Sequence, residues 1–214
     1  MEQDIEIINT NTRNEKIKNF FIKNKKILIS IIIILILSLF SFLFYQEYKS
    51  GQKEKLANKY NLVLIKFKSN EKNNIIPQLK EIIKAKDKTY SPLAFYFLLD
   101  NNLINSRDEI NSYFDIIIND VNLNKDIKEL TIFKKGLYNS DFASENDLLN
   151  ILNPVIKSES IWKSHALYLM AEFYFSKNKK QRSKEFFEQI IALENINSKI
   201  KLEAQNRLSA NFSE

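Results

Sequence analysis

The hydrophobic residues of this chain follow two patterns, one continuous and one periodic. The continuous pattern is a run of 19 residues without a charge or an amide, at positions 27–45, with the sequence ILISIIIILILSLFSFLFY. A helix of this length spans about 28 Å, close to the hydrocarbon thickness of a bilayer. The run is longer than the roughly 7–15 apolar residues of a secretory signal peptide, and no small-residue cleavage site follows it. It predicts an uncleaved membrane anchor, with a buried core helix as the alternative.

The periodic pattern extends from the anchor to the end of the chain. Apolar residues recur three or four positions apart, as on one face of an α-helix, and no segment alternates with the period of two that a strand requires. Short polar linkers between the periodic segments favour antiparallel helix hairpins, so we predict an all-α fold. The expected helices lie at about 56–67, where the helix could continue the anchor, and at about 75–83, 91–103, 110–118, 127–137, 148–152, 161–176, 179–193 and 198–212.

Two helix ends and one helix face are predicted in more detail. Ser91 is expected to cap the third of these soluble helices, with Pro92 at its first helical position. The sixth is expected to end before Pro154. The fifth is expected to end near residues 136–140, from Gly136 to Ser140. Its buried face is expected to carry Ile127, Leu130, Phe133 and Leu137.

Residues 164–197 follow the spacing of a tetratricopeptide repeat. That repeat has large, apolar, small, aromatic, small and aromatic residues at six fixed positions, where the small residues let two helices approach each other. The segments 90–119 and 126–154 are similar in length but lack most of the small residues, so they are at best degenerate copies. We therefore predict one transmembrane helix followed by a tetratricopeptide-like α-solenoid of antiparallel helix hairpins, with an ordinary hairpin as the alternative for 164–197. With Ser164 as the first position, the six residues are Leu167, Met170, Ala171, Tyr174, Ser183 and Phe187.

In this register four side chains are predicted to line a protein-binding groove. A repeat scaffold binds mainly through the concave face formed by the first helix of each pair. The residues expected to face the groove combine aromatic and polar groups, which suits an extended or helical peptide. The alternative is that the C-terminal helix packs over this face and makes the same residues part of the core and its rim. The four residues are His165, Tyr168, Glu172 and Phe175.

The composition excludes several kinds of catalytic and cofactor site. The chain has no cysteine, a single histidine, His165, and two glycines, so it lacks a disulfide framework, a multi-histidine metal site and a glycine-rich phosphate loop. The carboxylate pairs Asp108/Glu109 and Glu185/Glu188 lie among lysines and are expected to form solvated ion-pair surfaces. We therefore predict that the protein is not an enzyme and has no cofactor, metal or small-molecule substrate.

The charge distribution bears on partners and orientation. The net charge is +6, from 32 basic and 26 acidic residues, but lysines are mixed with acids, so nucleic-acid binding is not expected. Six basic residues precede the apolar run within 20 positions and four follow it, which favours a cytoplasmic N-terminus and a translocated C-terminal domain. The predicted organisation is a cytoplasmic tail with a basic juxtamembrane segment at 1–26, an anchor at 27–45 and a helical domain at 46–214.

Several segments resemble the YfgM-like family of ancillary subunits of the bacterial SecYEG translocon. A short acidic start precedes the basic and aromatic stretch KIKNFFIKNKKILI, which runs into the apolar segment. KAKDKTYSPLAFYFLLDNNLI resembles the first hairpin of the family with its Thr-Tyr lead-in. Trp162 begins the last hairpin, and the chain closes with the short helix SKIKLEAQNRLS, as in those proteins. The chain departs from the family in being rich in Ile and Asn, where family helices are rich in Ala and the span contains glycine.

The resemblance implies a single-pass protein of the bacterial inner membrane with its helical domain in the periplasm. Its implied partners are the Sec translocon, a membrane-anchored periplasmic chaperone of the prolyl-isomerase type, and exported chains. Two alternatives keep the same fold. One is an envelope-assembly or division scaffold unrelated to the translocon, and the other is a cytoplasm-facing anchored repeat receptor.

Overall fold

The computed structural model describes residues 2–69, 74–194 and 197–212, with side chains from residue 15 onward. Every regular element in these ranges is helical, which confirms the all-α prediction for the described residues. A π-helix, Ile116–Asp120, continues the α-helix that ends at Asp115. The α-helices are α1 (Glu2–Lys68), α2 (Ile75–Lys84), α3 (Tyr90–Asp100), α4 (Arg107–Asp115), α5 (Lys125–Asn139), α6 (Glu145–Ile156), α7 (Lys163–Ser176), α8 (Lys180–Ile191) and α9 (Ser198–Phe212).

The chain divides into two compact units, Met1–Lys55 and Leu56–Glu214. Among the described residues, the segment Glu15–Lys68 of α1 contains a window long and apolar enough to cross a bilayer, and none of that window is buried. A core helix of a soluble protein would hide most of these side chains. The long apolar helix is therefore consistent with a single-pass anchor, while the boundaries of tail, anchor and helical domain stay predictions.

The core of the second unit forms around two phenylalanines. Phe95 and Phe114 are fully buried, and their ring centroids lie 4.7 Å apart in an edge-to-face arrangement. The last turns of α1 join this core, since Val63 is fully buried and the ring of Phe67 lies 5.0 Å from that of Phe97. The predicted stripes of α2 and of α4 with its π-helical continuation supply much of the remainder: Ile75, Leu79, Ile82, Ile83, Ile110, Tyr113, Ile117 and Ile118.

The helices pack in pairs, α2 with α3, α5 with α6, and α7 with α8. The predicted hairpin at 90–119 is different, because the backbone of α3 lies closest to α2 and not to α4. A small, fully buried residue on α3 explains this close approach: the hydroxyl of Ser91 donates a hydrogen bond of 2.8 Å to the carbonyl of Ile82 on α2.

The prediction that Ser91 caps α3 is wrong. The helix begins one residue earlier, at Tyr90, and the carboxylate of Asp87 accepts hydrogen bonds of 2.8 Å from the backbone N–H groups of Thr89 and Tyr90. Since Asp87 satisfies these free donors, Ser91 is released to bind α2 instead. Pro92 still lies in the first turn, where its missing N–H is tolerated.

We expect Ser91→Ala to lower the free energy of unfolding of the second unit by about 1 kcal/mol, because it removes one buried hydrogen bond. Denaturant titration of the full chain in detergent, followed by the fluorescence of the single tryptophan, Trp162, measures this change. Ser112→Ala on the exposed side of α4 is the matched control and should leave the midpoint unchanged. Equal midpoints for both variants would contradict the expectation.

The predicted buried face of α5 is wrong in part. Ile127 and Leu137 are about half exposed, and the buried positions are shifted around the helix. Several of the buried residues are polar and have partners: Thr131 donates to the carbonyl of Ile127. Hydrophobic periodicity misplaces this face because it assigns polar residues to solvent. The buried residues of α5 are Glu129, Thr131, Ile132, Gly136 and Asn139.

α5 ends at Asn139, within the predicted range 136–140, so Gly136 lies inside the helix and does not end it. A Cβ atom at this position would lie 2.4 Å from Cδ2 and 2.9 Å from Cγ of Leu152 on α6. The glycine is therefore a point of close approach between α5 and α6. Pro154 does not end α6 either, since the helix continues to Ile156.

The last three helices share a second apolar cluster. The ends of α7 and α8 agree with the predicted positions to within two residues, and α9 begins and ends where expected. α9 packs on both α8 and α7. The buried members of this cluster are Leu167, Ala171, Phe187, Ile190, Ile200 and Ala204.

Candidate protein-binding face

The α7/α8 pair places all six residues of the tetratricopeptide spacing in its interior. Each is at most 3% exposed. The small residues Ala171 and Ser183 are fully buried, which fits the close approach of the two helices that the repeat requires. The ring of Tyr174 stacks on that of Phe186 with centroids 5.4 Å apart. The spacing therefore describes real packing in this pair.

Three of the four predicted groove residues lie beneath α9. Arg207 of α9 forms a two-pronged ion pair with Glu172, in which Nε donates to Oε1 at 2.7 Å and Nη2 donates to Oε2. The guanidinium carbon of Arg207 also lies 5.3 Å from the ring centroid of Phe175. Burial raises the pKa of the Tyr168 hydroxyl, and the same arginine acts in the opposite direction. One side chain of α9 thus interacts with three residues of the face.

Two aromatic contacts hold the C-terminal end of α9 against α7 and α8. The ring of Phe212 lies 6.0 Å from that of Phe175 in an edge-to-face arrangement and 6.3 Å from that of Phe187. Phe187 in turn lies 5.5 Å from Tyr168. We call Tyr168, Glu172, Phe175 and Phe187 the α9-facing surface. These contacts agree with the alternative considered from the sequence, in which the C-terminal helix packs over this face. Binding of a partner by the four predicted groove residues stays a prediction.

His165 lies apart from the α9-facing surface. Its ring is 5.1 Å from Trp162 and 5.8 Å from Phe133, whose ring is stacked nearly parallel to that of Trp162. Its Nδ1 and the Nε1 of Trp162 are buried, with no hydrogen-bond partner among the described residues. The three ring centroids lie within about 6 Å of one another. At that spacing the rings fill the space between them, so they form a packed cluster and not an open cage for a cation.

Burial disfavours the imidazolium form and lowers the pKa of His165 below its ordinary value of 6.5. The stability that the neutral ring contributes is therefore present above pH 6.5 and is lost as the pH falls through 6.5 towards the lower pKa of the folded state. We expect the unfolding midpoint of the full chain to fall between about pH 7.5 and about pH 5.5, and to fall less in His165→Phe. Denaturant titrations at both pH values measure these midpoints. An equal fall of the midpoint in the two proteins would contradict the assignment of the pH dependence to His165.

One carboxylate in each of the pairs Asp108/Glu109 and Glu185/Glu188 has a polar partner in the structure. Glu109 pairs with Lys80 at 2.5 Å and accepts a hydrogen bond of 2.8 Å from the hydroxyl of Tyr113. The hydrogen bond from Lys80 is the largest influence on Glu109 and lowers its pKa. Glu185 accepts from Gln181 one turn earlier on α8. Within the described part of the chain, no group of three or more His, Asp and Glu side chains is placed to hold a metal ion.

Sequence reasoning missed the two residues of α9 that contact the predicted groove. Arg207 is one of only four arginines, and Phe212 lies five positions later. The apolar stripe Ile200, Ala204 and Leu208 indicates which face of α9 packs inward, and Arg207 borders that stripe. The stripe therefore predicts which face of α9 is buried. It does not predict which residues that face contacts, because those depend on where α9 packs.

Residues 18–103 match the family model of a tetratricopeptide repeat-like domain. The match covers less than half of the chain, from α1 through α3, and the spacing recognised at 164–197 lies outside it. No curated protein and no solved structure matches the chain. The matched segment is of a class that acts by binding other proteins and is typically not catalytic.

Proposed function

We propose that this protein is a membrane-anchored scaffold or adaptor of the bacterial inner membrane that serves the Sec export machinery. The observation that carries the proposal is the tetratricopeptide repeat-like match, which includes the exposed apolar part of α1. That repeat family is typical of YfgM-like proteins. Two further parts of the chain resemble those proteins, namely the basic and aromatic stretch before the anchor and the last hairpin. In the proposed orientation the N-terminus is cytoplasmic and the helical unit is periplasmic.

The proposed mechanism is positioning. An anchor that holds a binding unit beside the channel raises the effective concentration of that unit for emerging chains and for a membrane-anchored chaperone, without any new contact. The proposed binding residues are His165, Tyr168, Glu172 and Phe175, on the first helix of the α7/α8 pair. Protein partners would be recognised there by aromatic and charged groups, as on other repeat scaffolds.

Photo-crosslinking in living cells tests the proposal. A photoreactive residue in place of His165 is expected to capture components of the export channel, a chaperone or exported chains. The same residue in place of Leu137, which is about half exposed on α5, is the control. Tyr168→Ala combined with Glu172→Ala should reduce capture while the helical circular dichroism stays the same.

A reporter fused after Glu214 tests the orientation separately. Activity of a reporter that works only outside the cytoplasm is expected. A reporter active only in the cytoplasm would reject the export role and favour a cytoplasm-facing receptor. Capture of envelope-assembly or division proteins in place of export components would favour a different scaffold.

A further inference from the structure

The α9-facing surface has the chemistry of a helix-binding site that is filled from within the chain. Glu172 accepts hydrogen bonds from the planar guanidinium of Arg207, which also lies 5.3 Å from the ring centroid of Phe175. An arginine offers two parallel donors that match a carboxylate, which a lysine does not. Five positions further along α9, Phe212 contacts Phe175 and Phe187. The surface therefore selects a helix by a basic group and an aromatic ring at a defined separation.

We propose that α9 is the resident ligand of this surface and that the external partner it fits is an amphipathic helix carrying an arginine with an aromatic residue five positions later. The proposal rests on the proposed protein-binding function of the same face. The partner helix binds in place of α9, its arginine on Glu172 and its aromatic ring against Phe175 and Phe187.

The attachment of α9 is limited enough to permit exchange. Only Ile200 and Ala204 of this helix are buried, and Ala204 is small. The side chains of the ion pair, Arg207 and Glu172, remain 38% and 29% exposed, so solvent screens their attraction. A terminal helix with few buried contacts belongs to the part of a protein that opens most readily. In contrast, α7 and α8 pack closely on each other, so we expect this pair to remain folded when α9 leaves.

Loss of α9 leaves groups that a partner must satisfy. Glu172 would lose both donors of Arg207, and the rings of Phe175 and Phe187 would lose Phe212. A partner that lacks the arginine leaves the partly exposed carboxylate of Glu172 without the two donors that it has in the chain itself. A partner that lacks the aromatic residue leaves apolar surface in water. These two requirements give the site its selectivity.

The intact chain disfavours weak partners because α9 is tethered. A helix attached by a short linker competes at an effective concentration in the millimolar range. The apparent affinity for an external helix equals its intrinsic affinity multiplied by the fraction of chains in which α9 is open. Weakening α9 without altering the α9-facing surface should therefore increase binding of any helix that fits.

The test uses the full chain in detergent and a fluorescent peptide with the sequence of α9, SKIKLEAQNRLSANF, as the probe. Combining Arg207→Ala with Phe212→Ala in the chain weakens the resident helix and leaves the surface unchanged. We expect this variant to bind the peptide at least about tenfold more tightly than the unaltered chain, measured by fluorescence anisotropy. Amide hydrogen exchange in α9 should rise in the same variant, while exchange in α7 and α8 stays unchanged.

Two controls define the specificity of the exchange. Lys199→Ala combined with Gln205→Ala alters exposed positions of α9 and should bind the peptide as weakly as the unaltered chain. Adding Glu172→Gln to the weakened variant should remove the gain, and so should a peptide with alanine in place of its arginine. The fluorescence of Trp162, which lies outside α9, verifies that each variant is folded.

Equal binding of the peptide by the weakened and unaltered chains, or a gain that survives Glu172→Gln, would overturn the proposal. Exchange through self-association, seen as a concentration-dependent dimer of the unaltered chain, would also overturn it by making a second copy the partner. Peptide exchange without crosslinks to export components would reject the export role and leave the helix-binding site intact. Crosslinks to export components without peptide exchange would reject the helix-binding site and leave the export role intact.

Discussion

Phe95→Ala is expected to lower the free energy of unfolding of the second unit by about 3–5 kcal/mol, because it leaves a cavity in a fully packed region. The ring of Phe95 is fully buried, and its centroid lies 4.7 Å from that of Phe114 and 6.0 Å from that of Tyr113. Truncation thus removes both the buried area of one ring and its edge-to-face contacts with two others. Both neighbouring rings lie on α4, so the loss weakens the contact between α3 and α4.

Denaturant titration of the full chain, read from Trp162 fluorescence, measures this loss. Leu93→Ala on the same helix is the matched control, since Leu93 is 43% exposed and its truncation should change the free energy by less than about 1 kcal/mol. Phe95→Leu keeps most of the volume and should lose only about 1.5 kcal/mol, so it remains measurable if the alanine variant does not fold. Similar losses for Phe95→Ala and Leu93→Ala would show that the core is not centred on these rings.

Local periodicity predicted the helices whose burial is dominated by their own apolar stripes. All five stripe residues of α4 and the π-helix that continues it are buried, and so are four of the five on α2. In such helices the spacing of side chains by 3.6 residues determines which positions share a face, whatever the helix packs against. α9 was also placed correctly, although with fewer buried residues.

The errors occur where a tertiary contact decides the local structure. Ser91 has the composition of an N-cap, but Asp87 fills that role, and Ser91 bonds to α2 instead. On α5, Asn139 is buried because its side-chain amide exchanges hydrogen bonds with that of Asn111. A partner 28 positions away is invisible to a pattern within one helix, so polar residues with such partners were assigned to solvent.

The candidate site was predictable in part. The spacing of the tetratricopeptide repeat identified the interior of the α7/α8 pair, and it placed Tyr168, Glu172 and Phe175 together on one side of α7. The contacts of Arg207 and Phe212 were not predictable from that spacing, because they depend on the docking angle of α9. His165 shares the helix but contacts a different cluster, since it lies at the opposite end, beside Trp162.

Because α5 and α6 meet at Gly136, we expect its substitution to lower the free energy of unfolding more than substitution of the other glycine, Gly51. A methyl group there would approach Leu152, which is fully buried and has little room to move. Gly136→Ala gains about 1 kcal/mol of helix propensity but loses about 1–3 kcal/mol to overpacking, so we expect a small net loss. Gly136→Val adds two further methyl groups and no additional propensity. We expect it to lower the free energy of unfolding by about 3 kcal/mol, mainly by separating α5 from α6.

A double-mutant cycle distinguishes this clash from a general effect of losing glycine. Leu152→Ala alone should cost about 2–5 kcal/mol, but combined with Gly136→Ala it should cost at least about 1 kcal/mol less than the sum of the two single changes, because the new methyl group occupies part of the vacated space. Gly51→Ala is the control, since no heavy atom lies within 4 Å of a Cβ atom there, and the unfolding transition seen by Trp162 should not move. Additive losses in the cycle would mean that Gly136 and Leu152 do not meet, and the close approach of α5 and α6 at this residue would have to be abandoned.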